Sequence, residues 1–280
     1  MSAAAQLPRS VEYVDAGDTA RVADGVAQVY AGELLAVIVR GVIPEDVVAA
    51  AVERLERGDT EIPQYSAPVF TGAMRGLPVV LAEDQLEQYY DDAAAYPARI
   101  DALFQTTPGF SQRINEALVG LAGGRPASVP VAPDGRRYLE ANIRGLVPGD
   151  KLPLHFENAT VVKSTMRHLS ELIDVRAVMS FYLPLTIPDG GGELIVYEKY
   201  VSEHDDGDSS VADLGGEEAA LPVFRAMNQI KLLPGVGDLM VFDGGRWYHD
   251  VTTIEGPRKR WTAGGFLAMS RDHDAVYYWC

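Results

Sequence analysis

The sequence predicts an α+β fold, with helices gathered in the first half and a sandwich, barrel or jelly roll built from the second. Three observations predict it. Helical periodicity and helix-boundary residues concentrate before about residue 126. Beyond that point eight short apolar runs are separated by turn residues. Hydrophobic residues make up 47% of a 280-residue chain, enough to bury a sizeable core as one unit. The expected organisation is a single domain over 1–280, with 1–125 as mainly helical support and 126–280 as the β core. An acidic insertion is expected near 202–220.

In chain order, residues 1–30 read as a polar lead-in with one short strand. GELLAVIVRGVI (32–43) reads as a strand running into a turn. PEDVVAAAVERLERG (44–58) reads as a helix. Pro44 suits its first position, Glu45 and Asp46 complement its dipole, and Gly58 can close it. Residues 59–80, punctuated by Pro and Gly, read as loop. Residues 82–105 and 109–123 give two or three further helices, with breaks expected at Pro97 and Pro108.

The strand candidates then follow: RRYLEANIRGL, KLPLHFENATVV, AVMSFYLPLTI, GELIVYEKYV, MNQIKLLPG, GDLMVFDGG, WYHDVTTI and RWTAGGFLAMS. One helix, KSTMRHLSELI (163–173), interrupts them. SEHDDGDSSVADLGGEEAA (202–220), acidic and rich in Gly and Ser, reads as an exposed insertion.

Charge excludes some partners. With 24 basic and 40 acidic side chains the formal net charge is −16, a field that repels nucleic acid and anionic membrane surfaces. The one cysteine, Cys280, precludes an internal disulfide and fits a reducing cytoplasm. MSAAAQLPRSVEYVD lacks the basic-then-apolar pattern of a signal peptide, and no apolar run reaches a membrane span. A cytoplasmic protein that does not bind nucleic acid or membrane is the expectation.

Five histidines narrow the search for chemistry. His204 lies in the acidic segment and His273 in the charged C-terminal stretch, so both read as solvated. His168, beside Arg167 on a helix, reads as a surface residue. His155 differs, because Glu157 stands two residues on and shares its face of a strand. His249 follows a Pro-Gly turn, the strand DLMVF and a DGG turn. Two imidazoles and one carboxylate, with coordination positions left open, suit non-haem Fe(II). Structural zinc would want four closed ligands and cysteines. H-x-E alone is weak, and a solvated surface strand is the plain alternative. Downstream, Arg258 and Arg260 share strand parity with Thr262. A guanidinium inside a strand must find an anion, and its fork fits a carboxylate. A solvated basic cluster is the other reading of RKR.

Together LHFEN, SFYLPL, GGELIVY, PGVGDLMVFDGGRWYHDV and GPRKRWTAGGF resemble the iron(II)- and 2-oxoglutarate-dependent oxygenase superfamily over about residues 135–270. The resemblance implies a double-stranded β-helix, a cupin-like jelly roll, with supporting N-terminal helices. It implies Fe(II) held by His155, Glu157 and His249, and Arg260 on the distal carboxylate of 2-oxoglutarate. Thr262 would stand beside Arg260, with Asn142 and Tyr138 contacting co-substrate or substrate. It further implies O2 as co-substrate, succinate and CO2 as products, and hydroxylation of an unactivated C–H.

A narrower similarity is to small bacterial enzymes that hydroxylate or halogenate free amino acids. Halogenating members have Gly or Ala where this chain has Glu157, so hydroxylation is expected here. For an amino-acid substrate, Arg75 or Arg144 would take the carboxylate, Glu140 and Asn158 the ammonium, and Trp279 would cover the pocket. The 202–220 segment would be a lid or simply an acidic loop. Desaturation and ring closure use the same residues and stay open. So does a jelly-roll binding protein with a vestigial metal site. A cupin-type enzyme without 2-oxoglutarate would need an H-x-H cluster that the chain lacks.

Overall fold

A computed structural model describes residues 6–201 and 209–280. Strands β1 (Val11–Asp15) and β2 (Ala36–Arg40) flank a 3-10 stretch and helix α1 (Gly25–Ala31). Helix α2 (Glu45–Arg57), strands β3 (Gln64–Tyr65) and β4 (Ala73–Arg75), helices α3 (Leu86–Phe104) and α4 (Phe110–Leu121), and β5 (Ala127–Ser128) follow. Next come β6 (Asn142–Leu146), β7 (Leu152–His155), α5 (Arg167–Leu172), β8 (Met179–Pro184) and β9 (Leu194–Tyr200). Helices α6 (Ser209–Asp213) and α7 (Glu217–Arg225) precede β10 (Gln229–Leu232), β11 (Leu239–Phe242), β12 (Trp247–Val251), β13 (Arg260–Met269) and β14 (Val276–Trp279).

These strands make a large mixed sheet and a small antiparallel one. The large sheet runs β1-β2-β11-β8-β13-β6-β4-β3, with β14 beside β13 and β5 beyond it. The small sheet runs β10-β9-β12-β7. Between the sheets, Ile38, Met240 and Phe242 of the large one pack against Leu194, Val196, Trp247 and Val251 of the small one. The opposite face of the large sheet carries Val37, Val39, Val241 and Phe181 into a larger core with the N-terminal helices. Helix α3 buries Tyr89, Ala93, Tyr96, Ile100, Leu103 and Phe104, a stripe at helical spacing.

Register decides which side chains meet. Thr262 stands opposite Arg144 and Pro184, Gly264 opposite Asn142 and Tyr182, and Phe266 opposite Ser180. Residues paired across strands share a face. Asn142, Arg144, Ser180, Tyr182, Arg260 and Thr262 therefore line one side of the large sheet, the side turned to the small sheet.

Several expectations need correction. Helix α3 runs unbroken through Pro97, because the buried stripe outweighs the hydrogen bond and clearance that a proline costs. Residues 25–31, read as lead-in, form α1, which Gly32 closes at φ 75°. Strand β7 stops at His155, and Glu157 opens a 3-10 turn over Glu157–Thr160. Of the 202–220 insertion, 202–208 lies outside the described residues. The remainder enters α6 and α7, and Ala220 and Phe224 are fully buried against Tyr197 and Tyr248 of the small sheet. Among the described residues no helix is long and apolar enough to cross a membrane.

Candidate active site

Strands β7 and β12 pair so that His155 and His249 stand directly opposite one another, with ring centroids 4.1 Å apart. Glu157 joins them because its backbone N–H donates to the Gly244 carbonyl, 2.8 Å away, which pins the turn after β7 against the DGG turn before β12. Its Oε1 lies 3.9 Å from His155 Nε2 and 3.7 Å from His249 Nε2. The three ligand atoms fall within 4.8 Å of one another. Gly244 is required at this turn: a Cβ there would meet Ser180 Oγ at 2.8 Å and Glu157 Cγ at 3.1 Å.

Each ligand is oriented by a neighbour. His155 Nδ1–H donates to the Pro153 carbonyl at 2.6 Å, and His249 Nδ1–H to the Trp247 carbonyl at 3.0 Å. A carbonyl only accepts, so both rings carry their proton on Nδ1 and turn an Nε2 lone pair to the centre. Ser180 Oγ donates to Glu157 Oε1 at 2.8 Å. Burial and the adjacent His249 push the His155 imidazole down to about 4, against the pull of Glu157. Burial disfavours charge on Glu157, but the two adjacent imidazoles and the Ser180 hydroxyl outweigh it and hold the carboxyl down at about 2. Near neutral pH Glu157 is thus a carboxylate and His155 a neutral imidazole, the donor states that a divalent transition metal requires.

Two hollows meet at this cluster. The inner one, about 510 Å³, is lined by His155, Glu157, His249, Tyr182, Arg260 and Thr262 among others. Arg260 is 7% exposed and has no carboxylate partner among the described residues. Its Nε donates to the Gly192 carbonyl at 2.9 Å, and its guanidinium carbon lies 5.5 Å from the Tyr182 ring centre. Gly192 holds φ 72°, and a Cβ on it would lie 3.1 Å from Arg260 Cδ, which accounts for the last of the three glycines before β9. Burial lowers the Arg260 pKa, but an arginine keeps its charge near neutral pH, so this end of the hollow offers a fork to an anion.

The outer hollow, about 1070 Å³, opens on the other side of His155 and Glu157. Its wall is apolar, with Val69, Phe70, Met74, Val80, Leu81 and Phe266. Asn142 lines this hollow and not the Arg260 cavity, and Arg144 lines both.

The remaining expected substrate residues are placed elsewhere. Met74 pairs with Arg144 and Arg75 with Ile143, so Arg75 turns to the other face of the sheet, where it donates to the Ile62 carbonyl. Glu140 accepts from Ser111 and from Arg137 beneath α4. Asn158 spends its amide on the Arg176 carbonyl and the Val178 N–H, fastening the turn behind Glu157. Trp279 is fully buried opposite Phe266, a wall of the core and not a cover. Tyr138 hydrogen-bonds His168 Nδ1 at 3.2 Å, so His168 is partnered and not a free surface side chain. His273 Nε2 meets Asp174 at 2.8 Å and is likewise not simply solvated. His204 lies outside the described residues. Ser180 and Tyr182 were missed by sequence reasoning. The signal was their two-residue spacing within the apolar run AVMSFYLPL.

The sequence profile of the family described as carrier-protein-independent halogenase WelO5 matches residues 10–280. An N-substituted L-amino acid dioxygenase from Burkholderia ambifaria AMMD has a similar structure: TM-score 0.58 over 91% of each chain at 15% identity. A second structure of that description, in complex with alpha-KG, gives TM-score 0.55 over 91% of each chain at 15% identity. At such identity the likeness concerns the fold. No curated protein matches the chain. The chain belongs to the WelO5 halogenase family, and through it to the iron(II)- and 2-oxoglutarate-dependent oxygenases.

Proposed function

We propose that this chain is an iron(II)- and 2-oxoglutarate-dependent dioxygenase that hydroxylates an unactivated C–H of a small molecule, and is not a halogenase. One observation carries the reading. Glu157 Oε1 sits within 3.9 Å of both imidazole Nε2 atoms, in the coordination position a halide would need. We read the two facing sheets as a double-stranded β-helix, and residues 1–280 as one oxygenase domain with the site between the sheets.

The donor set fits iron: two imidazoles and a carboxylate on one face. His155, Glu157 and His249 would hold it. Bound iron with 2-oxoglutarate and O2 supplies the oxidation, with succinate and CO2 as by-products. Arg260 would take the distal carboxylate of the co-substrate, with Thr262 on the same strand face beside it. Leu152, Leu194, Phe242 and Val251 surround this cavity and keep it dry. The outer hollow would bring the substrate C–H against the metal. Its wall favours a more apolar substrate than a free amino acid.

The reading can be tested without knowing the substrate. Anaerobic Fe(II) and 2-oxoglutarate give such enzymes a weak visible charge-transfer band. We expect that band in the wild type to be indifferent to added chloride, and Glu157→Gly to make it chloride-sensitive. A chloride-dependent band in the wild type would overturn the assignment of Glu157 and of hydroxylation.

A further inference from the structure

The cluster at the junction of the two hollows contains polar groups that the reaction above does not use. Asn142 is fully buried and its Nδ2 has no partner, although it lines the apolar hollow beside His155 and Glu157. A buried amide donor left unpaired costs free energy unless a ligand completes it. Its Oδ1 accepts from Arg144 Nε at 3.2 Å, so the amide orientation is fixed and the free donor is the NH2 side. Arg144 makes no ion pair among the described residues, and its outer guanidinium edge opens to both hollows.

Charge decides what that edge awaits. With ferrous iron, the Glu157 carboxylate, dianionic 2-oxoglutarate and Arg260 in place, the site is neutral. Arg144 is then a surplus positive charge at the metal-facing end of an apolar hollow. Lys163 also lines the hollow, but its Nζ donates to the Val80 carbonyl at 3.0 Å. Among the described residues no side-chain carboxylate other than Glu157 lines either hollow, so no carboxylate there would receive an ammonium.

Resting on the function proposed above, we infer that the substrate is an apolar molecule carrying a single carboxylate. Arg144 and the Asn142 amide receive that carboxylate, and the hydrocarbon lies along Phe70, Met74, Val80 and Phe266. The planar fork of Arg144 and the adjacent N–H form one recognition edge. The carboxylate anchors the molecule at the junction, and the anchor sets which C–H faces the metal. Asn142 and Arg144 are in this reading substrate-positioning residues, not co-substrate ligands.

The test uses the full chain loaded anaerobically with Fe(II) and 2-oxoglutarate. Phenyl- and cyclohexyl-alkanoates are titrated beside their methyl esters and primary amides, read by calorimetry and by perturbation of the visible band. The wild type should bind at least one acid about ten-fold or more tighter than its ester. Arg144→Gln should abolish that preference, and Arg144→Lys should keep part of it. Asn142→Ala should weaken the acid more than the ester. In all three variants the 2-oxoglutarate dependence of the band should stay as in the wild type. If the wild type binds none of the acids, or does not prefer acid to ester, the inference is wrong while the band still supports the function. If Arg144→Gln instead raises the 2-oxoglutarate requirement and leaves acid preference intact, the pair serves the co-substrate and the inference is again wrong. Absence of any band in folded protein overturns the function itself.

Discussion

At the scale of single residues, the site works because each ligand has one group holding it. Ser180 is the clearest case, since it donates to the Glu157 oxygen that faces both imidazoles. Ser180→Ala should weaken Fe(II) affinity about 10- to 100-fold, as loss of an orienting hydrogen bond does elsewhere, without lowering thermal stability appreciably. Anaerobic titration with Fe(II) measures it, and unchanged affinity would contradict the role. Arg260→Ala should raise the half-saturating 2-oxoglutarate concentration by about 30-fold or more, because a buried fork is lost. The candidate metal cluster was legible in the sequence because His155, Glu157 and His249 combine rare residue types with strand and turn patterns. Asn142 and Arg144 were named as candidate contacts, Arg144 only as the alternative to Arg75. Alternation says that two residues share a face but not which face. That is why Arg75, one residue off the register of Met74, was assigned to the pocket and turned away from it.

At the scale of elements, the site hangs from two adjoining strands and is backed from behind. On β12, Trp247, His249 and Val251 face the large sheet, while Tyr248 and Asp250 face α7. Arg225 of α7 bonds Asp250 at 2.7 Å, and the Tyr197 hydroxyl donates to the same carboxylate at 3.0 Å. Phe224 fills the space between Tyr197 and Tyr248. Phe224→Ala should therefore cost about 3–5 kcal/mol, measured by chemical denaturation. A cost near zero would return this segment to the exposed loop that its acidic composition suggested. Strand positions were easy to read, because turn residues bracket each apolar run. Helices that depend on tertiary burial were harder. Local rules break α3 at Pro97, and only the contacts of its buried face restore it.

At the scale of the molecule, the two ends of the described chain are tied at one carboxylate. Asp174 accepts from the Tyr30 hydroxyl of α1 at 2.5 Å, from Arg176, and from His273 at 2.8 Å. Burial works against its charge, but the hydrogen bonds from Arg176, Tyr30 and His273 hold its carboxyl well below the usual carboxylate range. A carboxyl whose folded pKa lies below its unfolded value adds stability above the unfolded value, near 4, and loses it as pH falls. Asp174→Asn should lower stability at pH 7 and flatten its decline from about pH 5 downward. Denaturation midpoints across pH measure this, and an unchanged acid limb would contradict the tie. That helices and large sheets combine in one fold was readable from texture alone. That residues 59–80, read as loop, lend β3 and β4 to the end of the large sheet was not, because strands of two and three residues carry little pattern of their own.

The most direct measurement is anaerobic absorption of the folded protein with Fe(II) and 2-oxoglutarate. We expect the wild type to develop the visible chelate band, His249→Ala to lose it, and Arg260→Ala to need more 2-oxoglutarate to reach it. Folded wild type without the band, or an undiminished band in His249→Ala, would contradict the assignment of His155, Glu157 and His249 as the iron site.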